Sequence, residues 1–114
     1  MTIAAKLLVQ RLWKEGLQWD EEVSDALSSE WKNLAGHMFD ASTATQPRKI
    51  VQDTEIPTTL HIYVDSSMSA YAAAAYINNS LLFAKAKVAP TKMRTIPELE
   101  LMAMHLGSIM GQFL

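Results

Sequence analysis

Cysteine is missing from all 114 residues, so disulfides, Cys-type zinc sites and thiol nucleophiles are excluded. A long apolar run is missing too; the longest, Ala70 to Ile77, is far too short to span a bilayer. The N-terminus lacks the basic-then-apolar pattern of a secretory signal, and an intracellular chain, cytoplasmic or nuclear, is expected. Neither charge sign dominates: a net charge of -2 rules out a whole-molecule electrostatic grip on nucleic acid, so any such grip must be local. The three histidines (His37, His61, His105) have no metal-ligand spacing among themselves and read as structural or surface residues. No internal repeat is apparent. What remains is 49% apolar and 19% charged, the composition of a globular chain with room for one compact domain.

The first segment, Thr2 to Glu15, carries Ile3, Leu7, Leu8 and Leu12 as one apolar stripe opposite Lys6, Gln10 and Lys14, which predicts a helix stopped at Gly16. A second helix is expected from Asp20 as N-cap, with Glu21 and Glu22 in its first turn. Val23, Leu27, Trp31 and Leu34 make its buried stripe and Gly36 its end. The two helices form an antiparallel pair, and Trp13, Trp19 and Trp31 are expected in its small core rather than as a base-stacking platform. Residues 40–56 then read as a linker, opening with the polar, turn-prone stretch Asp40 to Pro47.

The character changes after Pro57. Leu60, Ile62 and Val64 alternate with His61, Tyr63 and Asp65, which is strand periodicity. Ser66 to Ser69 is a polar turn, Tyr71 to Ile77 a second strand with ambiguous alanine propensity, Asn78-Asn79 a hairpin turn, and Leu81 to Val88 a third strand. Thr95-Ile96-Pro97-Glu98 is a capping-box start. The helix it opens carries Leu99, Met102, Ala103, Leu106, Met110 and Phe113 on one face; Met102, Met104 and Met110 read as helix packing or an adaptable contact surface.

Two features look like chemistry: Asp65, an acid ending an apolar strand, and Glu100, inside the first turns of a mostly apolar helix. Either acid is also explained locally, as a turn opener and as a dipole partner. The charge distribution adds to them. No acid occurs from Ser66 to Pro97, while Lys85, Lys87, Lys92 and Arg94 make that stretch locally +4. A polyanion lying over these cations, with a metal bridging it to the acids, is one reading; a solvated face is the other.

The stretch Val64-Asp65-Ser66-Ser67-Met68-Ser69-Ala70-Tyr71-Ala72-Ala73 resembles the first-strand motif of ribonuclease H domains from retroelements. Ala84 to Pro90, followed by Thr95-Ile96-Pro97-Glu98-Leu99-Glu100-Leu101-Met102-Ala103, resembles the later motif of BEL/Pao retrotransposon polyproteins. Leu12-Trp13-Lys14-Glu15-Gly16-Leu17-Gln18-Trp19-Asp20 resembles the segment joining reverse transcriptase to ribonuclease H in those polyproteins.

The resemblance implies metal-dependent hydrolysis of the RNA strand of an RNA–DNA hybrid, with four carboxylates holding two Mg²⁺ ions (Mn²⁺ as a substitute) about 3.5–4 Å apart. It assigns Asp65 and Glu100 as catalytic and metal-binding residues and Lys92 and Arg94 as substrate contacts, with the hybrid read through backbone shape and 2′-hydroxyls; Lys85 and Lys87 join the nucleic-acid contacts from the basic stretch. It also marks departures: Ser66 stands where alanine is usual, Ala73 where glycine is, and Glu98 where arginine is. No acidic residue follows Glu100, so the third and fourth carboxylates and the parallel fourth strand are absent.

The expected architecture is therefore of the α+β or α/β class, a truncated ribonuclease H-like fold in which a three-stranded antiparallel meander and first helix follow a helical pair. Residues 1–39 form the lead-in or connection, 40–56 the linker and 57–114 the partial domain. The fragment is expected to bind Mg²⁺ weakly or not at all and to be incompetent in cleavage alone. A domesticated remnant that binds nucleic acid or protein without cleaving is the alternative. With one strand edge left open, self-association is also expected.

Overall fold

The computed structural model describes residues 2–45 and 59–114. They form α1 (Thr2–Lys14), α2 (Asp25–Ser42), β1 (Leu60–Ser66), β2 (Ala70–Ile77), β3 (Ser80–Val88) and α3 (Ile96–Phe113). The chain is an α+β protein of three helices and an antiparallel sheet ordered β1-β2-β3, as expected from the alternating patterns. It divides into two compact units, Met1–Thr45 and Gln46–Leu114. Residues 46–56 of the expected linker lie outside the described residues.

In the first unit, α1 follows its apolar stripe and stops before Gly16, whose φ of +73° suits glycine. α2 departs from expectation at both ends. Its N-cap is Ser24, not Asp20. Glu21 folds its carboxylate back to accept the Gln18 N–H at 2.9 Å while its own N–H donates to the Gln18 carbonyl, so this segment spends its polar groups on a local turn. Ser24, in extended conformation, accepts from the Leu27 N–H instead. At the other end the helix runs through Gly36, so that Asp40 to Ser42, expected in the linker, form its last turn.

The two helices are antiparallel: Arg11, late in α1, grips Glu30, early in α2, through both carboxylate oxygens at 2.8 and 3.0 Å, and the groove they line also takes in Ala4, early in α1, and His37, late in α2. Their burial is thin. Leu8 is the buried residue of this unit among those described, and the expected tryptophan core does not form. Trp13, Trp19 and Trp31 are all exposed, with Trp13 meeting Trp19 edge-on at 5.3 Å between ring centroids. Val23 precedes the helix and is exposed as well. One layer of two helices has too little interior to enclose indole rings.

The second unit has a definite core. β1 and β2 pair from Leu60↔Ile77 to Ser66↔Tyr71, and β2 and β3 from Ala70↔Val88 to Ile77↔Ser80. Asn78, at φ +52°, opens the tight turn of the second hairpin, and the register slips once, between Ala75 and Tyr76. The alanines of β2 resolve as strand because it is central, paired on both sides, and because a small side chain is what its covered face requires. Ala73 and Ala75 are buried there against α3, together with Tyr71, Ala89, Leu99, Ala103, Leu106 and Met110, with Ile62 and Met102 packed on the periphery. Leu99, Leu106 and Met110 each contribute about 1.5–3 kcal/mol of apolar burial. Phe113, expected on this face, is 86% exposed; it closes the last turn beside Phe83 and Lys85, in a shallow groove. Of the three methionines, Met110 is buried, Met102 half-buried and Met104 exposed.

α3 lies unusually close to β1. A Cβ placed on Gly107 would stand 2.5 Å from Val64 Cγ1 and 3.3 Å from Ile62 Cγ2, and one on Gly111 3.0 Å from Ile62 Cδ1. The helix starts from the expected capping box: Thr95 Oγ1 accepts the Glu98 N–H, while the Glu98 carboxylate accepts the Thr95 N–H at 2.7 Å and its hydroxyl at 3.0 Å.

The glycines of α2 and α3 should respond to alanine in opposite senses. Nothing lies within 4 Å of a Cβ at Gly36, so Gly36→Ala should stabilise by up to about 1 kcal/mol through helix propensity. Gly107→Ala should destabilise by about 1–3 kcal/mol, because a Cβ 2.5 Å from Val64 Cγ1 forces a stiff β-branched side chain or the helix itself to shift. Urea unfolding followed by far-UV circular dichroism checks both.

Thr95→Ala should cost about 0.5–2 kcal/mol in the same assay. The Thr95 amide and hydroxyl, and secondarily Arg94, hold the Glu98 carboxyl below the ordinary carboxylate value. A depressed folded-state pKa stabilises above the unfolded value and is lost as pH falls through the folded one. The Thr95→Ala deficit should therefore be full at neutral pH and shrink on acidification through that window.

Candidate functional site

Two contacts set the direction of α3: Gly107 lies against Val64, and Gly111 against Ile62. The helix thus runs antiparallel to β1, and its first turns lie at the C-terminal end of that strand, where Asp65 sits. Helical periodicity places Glu100 on the same flank as Gly107 and Gly111, the flank over β1. Both candidate carboxylates therefore stand at one corner of the second unit, and both are exposed. They arrive from different directions. Ile62, Val64 and Ser66 face α3, so Asp65 leaves the strand on the opposite face with His61 and Tyr63. The Asp65 carboxylate then turns back to accept the Ser66 N–H at 2.8 Å.

The turn beneath the two acids is tightly tied. Ser67 donates its amide to the Ala70 carbonyl at 2.7 Å, and its hydroxyl accepts the Ser69 and Ala70 amides. The Ala89 N–H donates to the Ser69 carbonyl at 2.8 Å, anchoring the end of β3 to the same turn.

β3 runs parallel to β1 across the meander, so Val88 and the connection that follows share this end of the unit. Lys85 and Lys87 stand opposite Ala73 and Tyr71 in the register and so project on the α3 side of the sheet. Lys92 and Arg94 lie in the connection from β3 to α3, and Arg94 makes a 3.6 Å ion pair with Glu98. The arrangement is acids over the β1 corner and cations over the β3 side. Sequence spacing separated these groups by up to 35 positions; antiparallel pairing and the reversed helix bring them to one end.

One feature has no signature in the sequence. Ser66 Oγ is buried and has no hydrogen-bond partner, next to Asp65 and on the side covered by α3. The only hint at the level of sequence is that serine replaces the alanine usual there. His61, read as structural or surface, is exposed and stacks on Tyr63 at 6.3 Å, and Tyr63 meets Tyr76 edge-on at 5.7 Å. These rings cluster on the open face of the sheet.

The described residues do not by themselves complete a metal centre. Among the described residues no group of three or more His, Asp or Glu side chains is placed to hold an ion. Two carboxylates leave most of the six-oxygen shell of a hard divalent cation to water and cannot clamp two ions.

No described helix is long and apolar enough to cross a membrane. No curated protein matches the chain, and no solved structure matches it. Residues 1–114 do match the family model for the Pao retrotransposon-like RNaseH-like domain, lead-in helices included. With the meander, the reversed helix and the acid-bearing corner as its frame, the chain belongs to the Pao retrotransposon-like RNase H-like domain family.

Proposed function

We propose that this chain is the nucleic-acid-handling part of a Pao-type ribonuclease H-like domain and that its 114 residues do not cleave a hybrid by themselves. The observation that carries this reading is the shared corner, which gathers Asp65 and Glu100 at the end of the unit that also bears Lys87, Lys92 and Arg94; Glu98 there is tied to Thr95 and Arg94, and among the described residues no third acid or histidine joins them in a group placed to hold an ion. In this reading Asp65 and Glu100 are two members of a larger carboxylate set. Two acids bind Mg²⁺ or Mn²⁺ weakly, and no hydrolytic step follows from them alone.

The cations supply the affinity. Lys87, Lys92 and Arg94, with Lys85 one pleat further along β3, would contact phosphates of an RNA–DNA hybrid. Arg94 is partly committed to Glu98, so Lys87 and Lys92 carry more of the contact. The helices of the first unit correspond, in this reading, to the connection between reverse transcriptase and ribonuclease H. In this reading the work is done inside the cell, in cytoplasm or nucleus.

A purely binding role is the second reading, favoured by the same lack of a complete carboxylate set. Both readings are tested at Asp65. In a hybrid-cleavage assay with Mg²⁺ or Mn²⁺, the chain should show no cleavage above that of Asp65→Asn; robust cleavage abolished by that substitution would sink the proposal. Hybrid affinity should fall steeply with salt and survive Asp65→Asn, and Lys92→Ala should reduce the log–log salt slope by about 1. Salt-independent affinity would remove the phosphate reading.

A further inference from the structure

We propose that the turn joining α1 to α2 is a docking site for a basic segment of a partner protein, one that seats a lysine or arginine against the indoles of Trp13 and Trp19 and an apolar side chain beside it. This inference does not depend on the nuclease reading.

The first ground is that the site is braced. At the end of α1 the Gly16 N–H donates to the Trp13 carbonyl at 3.1 Å and the Leu17 N–H to the Leu12 carbonyl at 3.3 Å, with Gly16 at φ +73°. This pair of bonds is a Schellman turn, which brings the residue after the glycine, Leu17, back toward Leu12. A second turn follows at once: the Glu21 carboxylate accepts the Gln18 N–H at 2.9 Å, and the Glu21 N–H donates to the Gln18 carbonyl at 3.2 Å. Trp13 and Trp19 therefore project from two consecutive turns that are each closed by hydrogen bonds. Anchors held in this way lose little freedom when a partner arrives.

The second ground is shape. Trp13 and Trp19 enclose a groove together with Val9, Leu12, Leu17 and Val23. Residues 9–23 alone wall it, and neither terminus of the chain contributes. Its volume of about 240 Å³ is below the ~300–1,000 Å³ that buries a small molecule whole, so it suits one or two side chains of a longer chain. The indoles stay open to it: Trp13 is 58% exposed and Trp19 85%. They meet edge-on, at 86° between ring planes, and an edge-on pair leaves at least one face of each ring uncovered by the other. An open indole face attracts a cation.

The third ground is charge, and it selects the partner. Exposed indoles alone would accept many apolar segments. From Glu15 to Asp25, however, the chain carries Glu15, Asp20, Glu21, Glu22 and Asp25 and no lysine or arginine. All five acids are exposed, and Glu21 lines the groove itself. Lys14, just before this stretch, lies on the side of α1 away from Val9 and Leu12. A rim of this sign repels phosphate, so nucleic acid and anionic lipid are disfavoured here. A lysine or arginine gains twice, from the rim and from the ring faces, and Val9, Leu12, Leu17 and Val23 reward an apolar neighbour.

The probe is a short fluorescein-labelled peptide of alternating arginine and leucine, followed by anisotropy on the full chain. It should bind, the same peptide with glutamate for arginine should not, and serine for leucine should weaken it severalfold. Trp19→Ala should lower the affinity roughly tenfold. Phe39→Ala, which removes an aromatic ring 71% exposed near the other end of α2, should leave it unchanged.

The double change Asp20→Lys with Glu22→Lys spares Glu21, which braces the turn. It should weaken binding severalfold at low ionic strength, with the difference shrinking as salt rises. Circular dichroism should report an unchanged fold in each variant. Failure of the arginine–leucine peptide to bind overturns the proposal. So does equal binding of the glutamate peptide, or an equal loss from Trp19→Ala and Phe39→Ala, either of which would mean unspecific apolar contact. Self-association of the unliganded chain in sedimentation that Trp19→Ala disperses would mean that a second copy fills the groove, and also overturns it.

Discussion

The contact on which the sheet unit depends is the near-touch of α3 and β1 at Gly107. A helix laid across a sheet ordinarily stands off by the length of the side chains between them. Here glycine on the helix and alanine on the central strand remove that spacer, and Val64, Ile62 and Ala73 fill the reduced gap. Close approach makes the packing directional: a helix held against two β1 side chains a strand-step apart has little freedom to slide or swivel. The position of Glu100 relative to the end of β1 follows from that constraint, not from any bond the carboxylate makes.

The same economy of side-chain volume explains the composition of the unit. Four consecutive alanines are poor strand formers by propensity, yet they occupy the one strand paired on both edges, where hydrogen bonding and burial outweigh propensity. Bulk is supplied from the helix instead, by Leu99, Leu106 and Met110. The result is a thin but well-filled core beneath α3, and an opposite sheet face carrying a small aromatic cluster of His61, Tyr63 and Tyr76.

Elements whose signals are local were legible in the chain. Strict alternation from Leu60 to Asp65, the Asn78-Asn79 turn and the Thr95–Glu98 capping box each need only a few neighbouring residues to operate, and each stands where periodicity puts it. The start of α2 was not legible, because Asp20 and Ser24 are both competent N-caps and the choice is made by the Glu21–Gln18 turn between them. Gly36 failed as a stop because a glycine ends a helix only where the chain then reverses, and nothing in the following residues requires that. The tryptophans misled for a different reason: large apolar side chains signal burial only if enough surrounding chain exists to bury them.

The candidate site was legible as a pair of residues and illegible as a place. Asp65 and Glu100 stand out as isolated acids in apolar elements, but their adjacency at one corner depends on the helix direction, which Gly107 and Gly111 set through contacts with residues more than forty positions earlier. Their opposed approach, Asp65 from the open face and Glu100 from the helix, bears on the chemistry. Two carboxylates entering a corner from opposite faces leave the outer edge of β1 between them.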